Sequence, residues 1–313
     1  MSVWEIVKDI DLDGANNVND LIAQMGEGGG FMAPYISRAL DILEKMERDE
    51  CLKFLSFPAC IISTGCRGVI RNLVEKRLMD AIITTCGTLD HDLARSWSFY
   101  CKGSFNADDV ELHKKNVHRL GNVFIPMENY GPALEKGLRP IFEEIYGEKR
   151  EWGGRELIAR VGEFIDDSGS ILHWASRNKI PLYVPGIFDG AFGSQLWLFW
   201  QDHRDFAINL MQDEQELADL VFENKRSGAL IIGGGISKHH TIWWNQFKEG
   251  LDYGVYITTA MEWDGSLSGA RLREGISWSK VKEMGDEITV QGEATVLLPF
   301  LIKGLLERLE EKD

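Results

Sequence analysis

Residues 229–240 read Ala-Leu-Ile-Ile-Gly-Gly-Gly-Ile-Ser-Lys-His-His, and their reading decides the fold class. Four consecutive apolar residues without alternation read as a strand buried on both faces. Three glycines end it and the residues after them open a helix, which makes a strand-turn-helix unit of a parallel sheet. The pattern recurs. Apolar runs at 81–85, 123–126, 182–184, 255–258 and 288–290 read as further strands, and 51–62 contains another. Between them, 65–78 places Val69, Ile70, Leu73 and Val74 at helical spacing, and 193–210, 214–226 and 295–309 are also helix candidates. Strands of this kind alternating with helices predict an α/β fold, doubly wound, with a mainly parallel sheet covered by helices on both faces.

The chain has 313 residues, enough for one large domain or two ordinary ones. At 44% hydrophobic and 27% charged it has the balance of a globular protein. Gly26–Gly30 (GEGGG) predicts a joint after an N-terminal helical arm, 1–30, with one α/β domain over 31–313; a second glycine-rich joint candidate is 147–154. No apolar run approaches a membrane span, and the first residues lack the basic start and apolar middle of a signal peptide, so a cytoplasmic protein is expected. A net charge of −15 disfavours nucleic acid and anionic membranes and favours a cationic ligand. Five cysteines (Cys51, Cys60, Cys66, Cys86, Cys101), an odd count without C-x-x-C spacing, predict reduced thiols and no structural zinc. No metal site is expected.

In such sheets ligands bind at the carboxyl ends of the strands, and the chemistry-bearing residues gather there. Thr85-Cys86-Gly87 leads into Asp90-His91-Asp92; Phe188-Asp189-Gly190, the glycines 233–235 and Thr259-Ala260 end other strands. A glycine-rich strand-to-helix turn suits a phosphate, although neither G-x-G-x-x-G nor the P-loop pattern is present, and tight packing of the turn explains the glycines equally well. The Asp90–Asp92 cluster reads as acid/base or amine-binding groups, or as acids at a helix N-terminus. His239-His240 point different ways on one helix and do not share an ion easily. Lys280 lies beside Trp278, and an apolar wall favours the neutral, nucleophilic amine. Trp197, Trp200, Trp243, Trp244, Trp263 and Trp278 are core packing or, in part, walls for an apolar cation.

The stretches TTCGTLDHDLARS, HRLGNVFIPMENY, PGIFDGAFG, GGGISKHH, YITTAMEWDGSLSGAR and GISWSKV, in this order, resemble the deoxyhypusine synthase family over about residues 31–306. The resemblance implies a Rossmann-like fold and an NAD-dependent transferase, a homotetramer. It implies that the aminobutyl group of spermidine passes through a lysine imine to a lysine of a translation initiation factor, or, in homospermidine synthases, to a small amine. Carried over, Lys280 is the nucleophile, His239 the histidine beside the amine, Trp278 an indole wall and Glu274 a carboxylate for an amine end. The NAD contacts fall on Ser63, Thr85, Cys86, Gly87, Asp189, Gly234, Thr259, Ala260, Asp264, Glu293 and Ala294. Asp90, His91, Gly265 and Ser266 are further substrate contacts. Departures are Pro58-Ala59-Cys60 for Thr-Ser-Asn, His91 for a glutamate, Ser194 and Leu267 for aspartates, and Glu293 for aspartate. GTLDHD and DGSLSG are similar to the archaeal-type branch, in which another polyamine or agmatine is the expected alternative to spermidine.

Overall fold

A computed structural model describes residues 4–310. In chain order the first elements are α1 (Val18–Gly28), α2 (Ala33–Arg48) and β1 (Leu52–Phe57). There follow α3 (Cys66–Glu75), β2 (Ala81–Thr84), α4 (Cys86–Trp97), β3 (Cys101–Lys102), α5 (Asp109–Lys114), β4 (Val117–Leu120), β5 (Val123–Pro126), α6 (Gly131–Glu148) and β6 (Glu151–Trp152). Next come α7 (Gly154–Glu163), α8 (Ile171–Asn178), β7 (Leu182–Tyr183), α9 (Ala191–Asp202), β8 (Ala207–Ile208) and α10 (Leu210–Glu223). The chain ends with β9 (Ser227–Ile232), α11 (Gly235–Gln246), β10 (Leu251–Thr258), β11 (Val281–Gln291) and α12 (Ala294–Glu310). A six-stranded sheet runs in the order β11-β10-β9-β1-β2-β7 and is mainly parallel. The fold is α/β and doubly wound, as the sequence pattern predicts, and Rossmann-like, as the family resemblance implies.

The chain divides into two compact units, the described parts of Met1–Phe54 with Val221–Asp313, and Leu55–Leu220. In the first unit β9, β10 and β11 pair in parallel. All six residues of β9 are buried, which explains its unbroken apolar sequence. β11 is longer than its apolar run because its first half, Val-Lys-Glu-Met-Gly-Asp-Glu, is a polar stretch at the sheet edge. Helix α1 lies on α2 and α12. Ile22 is buried there, and Asn19 accepts from Arg308 and donates its backbone N–H to Glu307. The helix runs through Gly26 and Gly28, so the GEGGG joint is only Gly29-Gly30, both at positive φ. A Cβ at Gly26 would meet Ser37 Oγ at 2.5 Å, so the helical glycine permits a close approach to α2.

In the second unit β2 and β7 pair in parallel. The run 123–126 is a strand, but in a separate antiparallel sheet, β3-β5-β4, rather than in the parallel one. The reason is the turn: Gly121-Asn122 joins β4 to β5 with Gly121 at φ +60°, a two-residue hairpin loop. The helix expected over 193–210 stops at Asp202, because 203–206 turn the chain into β8.

Candidate active site

In the second unit the expected residues gather at the end of β2. Thr84 Oγ1 donates to Phe57 O, and Thr85 Oγ1 accepts from Ala59 N at 3.0 Å, which ties the 58–60 turn to the start of α4. Ser63 Oγ donates to Cys60 O in the same turn. A Cβ at Gly87 would stand 2.8 Å from that of Ala59, so the backbones come close here. Cys86 Sγ donates to Ile187 O at 2.9 Å, and burial pushes its thiol up to about 12. This cysteine is a packing group and not a thiolate nucleophile.

Asp90, His91 and Asp92 lie in the middle of α4, all buried, and that helix has no acid in its first turn. Their carboxylates serve other helices. Asp90 Oδ1 accepts from Phe192 N at 2.6 Å, and Oδ2 from Ala191 N at 2.9 Å and from the Tyr130 hydroxyl at 3.0 Å. It thereby satisfies the first N–H groups of α9, which lacks a side-chain cap of its own. Burial raises the Asp90 carboxyl above its ordinary value, and these three hydrogen bonds oppose the rise. Asp92 does the same for α8, accepting from Ile171 N, Leu172 N and Ser170 Oγ, and it is paired with Arg67 Nε at 2.7 Å. His91 hydrogen-bonds Tyr100 through Nδ1 at 2.9 Å and packs on Tyr130; burial pushes it down to about 4, so it is neutral. Asp189 is exposed beside Gly190, where a Cβ would meet Cys86 Sγ at 2.7 Å. Ser194 is exposed on the first turn of α9, its hydroxyl donating to Gly190 O.

In the first unit, β9 ends at Gly233-Gly234-Gly235. A Cβ at Gly234 would overlap Ser268, so this glycine serves close packing against the 265–270 turn. Gly235, at φ +77°, has open space around it. Helix α11 starts there without a side-chain cap and without an acid in its first turn. Its first N–H groups have no intrahelical acceptor, and a phosphate would satisfy them. The residues present fit such a group. Asp264 Oδ1 accepts from the backbone N and Oγ of Ser266, shaping the turn that carries Gly265. Thr259 and Ala260 follow β10, with Ala260 N donating to Thr258 Oγ1. Glu293 precedes Ala294 at the start of α12 and accepts from Val296 N and Thr295 Oγ1, so it acts as that helix's cap.

Lys280 sits between the 3-10 turn Leu272–Trp278 and β11. Its backbone is fixed: Lys280 N donates to Gly275 O at 2.8 Å, and Lys280 O accepts from Leu251 N. Gly250, at φ +99°, lets the chain pass; a Cβ there would lie 2.7 Å from the Lys280 carbonyl carbon. The Lys280 Nζ stands 5.3 Å from the Trp278 ring centroid and 5.8 Å from that of Trp243. His239 stacks on Trp243, and burial, with the nearby Lys280 charge, holds its imidazole below the ordinary value. Glu274 is exposed on the same 3-10 turn. Lys238, one residue before His239, is 1% exposed and donates to Leu267 O at 2.8 Å and Ala270 O at 2.7 Å, beneath the Tyr256 ring. Burial pushes it down to about 7, with Glu274 opposing and Arg271 and Lys280 adding to the fall.

Within this unit, Lys280, Trp278, His239 and Glu274 share one neighbourhood, and Gly234, Asp264, Gly265 and Ser266 share another through the 265–270 turn. Lys238 links them, and sequence reading gives it no role. Its signal was faint: a lone lysine in an α11 segment with no clear apolar stripe.

A family model described as deoxyhypusine synthase matches residues 20–305. A protein of Picrophilus torridus named "Probable deoxyhypusine synthase" is 51% identical over 303 residues, 97% of each chain. One of the same name from Thermoplasma volcanium is 51% identical over 300 residues, 96% of this chain and 97% of that one. A crystal structure from Entamoeba histolytica, assigned by name to deoxyhypusine synthase, superposes with a TM-score of 0.66 at 20% identity, over 96% of this chain and 97% of that one.

Proposed function

We propose, for a chain that belongs to the deoxyhypusine synthase family, an NAD-dependent aminobutyl transferase that uses Lys280 as nucleophile. The observation that carries the reading is the Lys280 amine at 5.8 Å from the indole ring of Trp243 and 5.3 Å from that of Trp278, with His239 stacked on Trp243. The substrate is spermidine or a related polyamine, and the acceptor is a lysine of a translation initiation factor.

NAD, when bound, supplies the oxidation of the amine carbon and the later reduction of the transferred group. In the second unit its proposed contacts are Ser63, Thr85, Cys86, Gly87 and Asp189. In the first they are Gly234, Thr259, Ala260, Asp264, Glu293 and Ala294, where the open glycine turn at the start of α11 fits a phosphate. Lys280 Nζ attacks the oxidised carbon of the amine; the C–N bond to the propyl side breaks, 1,3-diaminopropane leaves, and the aminobutyl group stays as an imine on Nζ. His239, held below its ordinary value by burial and by Lys280, accepts and returns the proton at the amine nitrogen. Attack by the acceptor lysine frees Lys280. Glu274, exposed on the turn before Lys280, holds a terminal ammonium, and Gly265 and Ser266 shape the turn beside it.

Asp90 and His91 are reassigned in this account from substrate contacts to support: both Asp90 oxygens are engaged by α9 and Tyr130, and His91 by Tyr100. Ser194 and Leu267, where the family pattern has acids, favour a second reading, in which another polyamine or a small-amine acceptor is used. Incubation with NAD and spermidine, with chromatography of the released amines, tests the proposal. 1,3-Diaminopropane should appear with wild-type protein and not with Lys280→Arg; release by both proteins contradicts it. The protein is proposed to act in the cytoplasm, as a homotetramer, with residues 1–30 as an arm.

A further inference from the structure

We propose that Trp243 is a specificity-determining residue: it forms, with Trp278, a pair of indole walls that hold the cationic group of the amine substrate by their π faces. This rests on the transfer reading above and goes beyond it, because it assigns recognition of the substrate's charge to aromatic rings.

Both indoles are within the roughly 6 Å over which an aromatic face attracts a cation, at 5.8 and 5.3 Å from Lys280 Nζ. They come from different elements, Trp243 from α11 and Trp278 from the end of the 272–278 turn. The orientation of Trp243 is built. His239 stacks on it at 5.5 Å and 21°, and Phe247 meets it edge-on at 5.8 Å and 89°. The three rings are four residues apart on successive turns of one helix face. Trp243 is 41% exposed and Trp278 65% exposed, so both present ring surface instead of filling the core. Asp264 is bonded to Ser266, and Glu274, exposed on the turn before Lys280, is the carboxylate proposed for a terminal ammonium, which leaves the indole faces to another cationic group of the polyamine. An ammonium here therefore gains from the rings.

Calorimetric titration in the presence of NAD compares spermidine with 1,8-octanediol, an uncharged chain of similar length, on wild type, Trp243→Phe and Trp243→Leu. Leu keeps apolar area without a π face. Trp243→Leu should weaken spermidine roughly tenfold while changing octanediol by less than about twofold, and Phe should restore most of the loss. In turnover the Leu variant should raise KM for the amine by a larger factor than it lowers kcat. Site-specific fluorination of the indole at position 243 leaves the fold intact and should weaken spermidine stepwise. Unchanged spermidine affinity in the Leu or fluorinated protein, or an equal loss of octanediol, overturns the proposal. Spermidine that binds through Trp243 without being turned over would refute the transfer reading alone. Turnover with a KM insensitive to Trp243 would refute the indole walls alone, and a wild type that binds no amine would refute both.

Discussion

Lys238 donates from Nζ to two backbone carbonyls under an aromatic ring, and its depressed value of about 7 has a measurable consequence. The unfolded chain, with an ordinary lysine near 10.5, binds more protons between those two values, so stability rises with pH across that window. Lys238→Met should flatten this rise when denaturant midpoints are taken at about pH 6.5 and 9; equal slopes in both proteins would contradict the assignment. At this scale the sequence exposed only part of the site. Lys280 and Trp278 are two residues apart, and their closeness was visible. The partners of Lys238, by contrast, lie 29 and 32 positions away, a distance no local pattern encodes. Trp243 stood out only as one of several tryptophans, and its facing Lys280 depends on how α11 lies against the 272–278 turn.

At the scale of elements, the strands were legible wherever both faces are buried. β2 and β9 are buried at every residue, and their apolar runs follow from that. The edge strand β11 was seen only over its last residues, because a polar half gives no buried-strand signal. The acids of α4 were the least legible: Asp90 and Asp92 cap helices whose first N–H groups lie 102 and 79 residues further along, respectively. Three substitutions have expected outcomes at this scale. Asp90→Ala should lower stability by about 1–3 kcal/mol, through the freed α9 N–H groups, whereas a substrate contact would raise KM and leave the melting curve in place. Asp92→Ala should cost about 3–5 kcal/mol, because it leaves the buried Arg67 guanidinium without its main partner; a loss below about 1 kcal/mol would contradict the capping role. Gly250→Ala should displace Lys280 through its positive φ and close backbone contact, seen as lost activity with NAD binding retained.

For the whole molecule, the fold class was readable from the alternation of strands and helices, but the division at 54/55 and 220/221 was not. Those boundaries fall inside β1 and α10, where no glycine-rich linker marks them. The charge of −15 accords with a cationic substrate. NAD should raise the melting temperature by mass action and NADP should raise it less, since the proposed contacts include no lysine or arginine for a ribose phosphate; equal shifts would contradict those contacts. Exposed Trp197, Trp200 and Trp263 are apolar area for an assembly to cover, and light scattering should report a tetramer; an active monomer would refute that. The proposed chemistry is covalent transfer through one lysine. Its most direct test is borohydride reduction of the pure protein during turnover with NAD and spermidine, followed by peptide mass spectrometry. An aminobutyl adduct should appear on Lys280, and none in Lys280→Arg. An adduct on Lys238, or none on any lysine while 1,3-diaminopropane is still released, would contradict it.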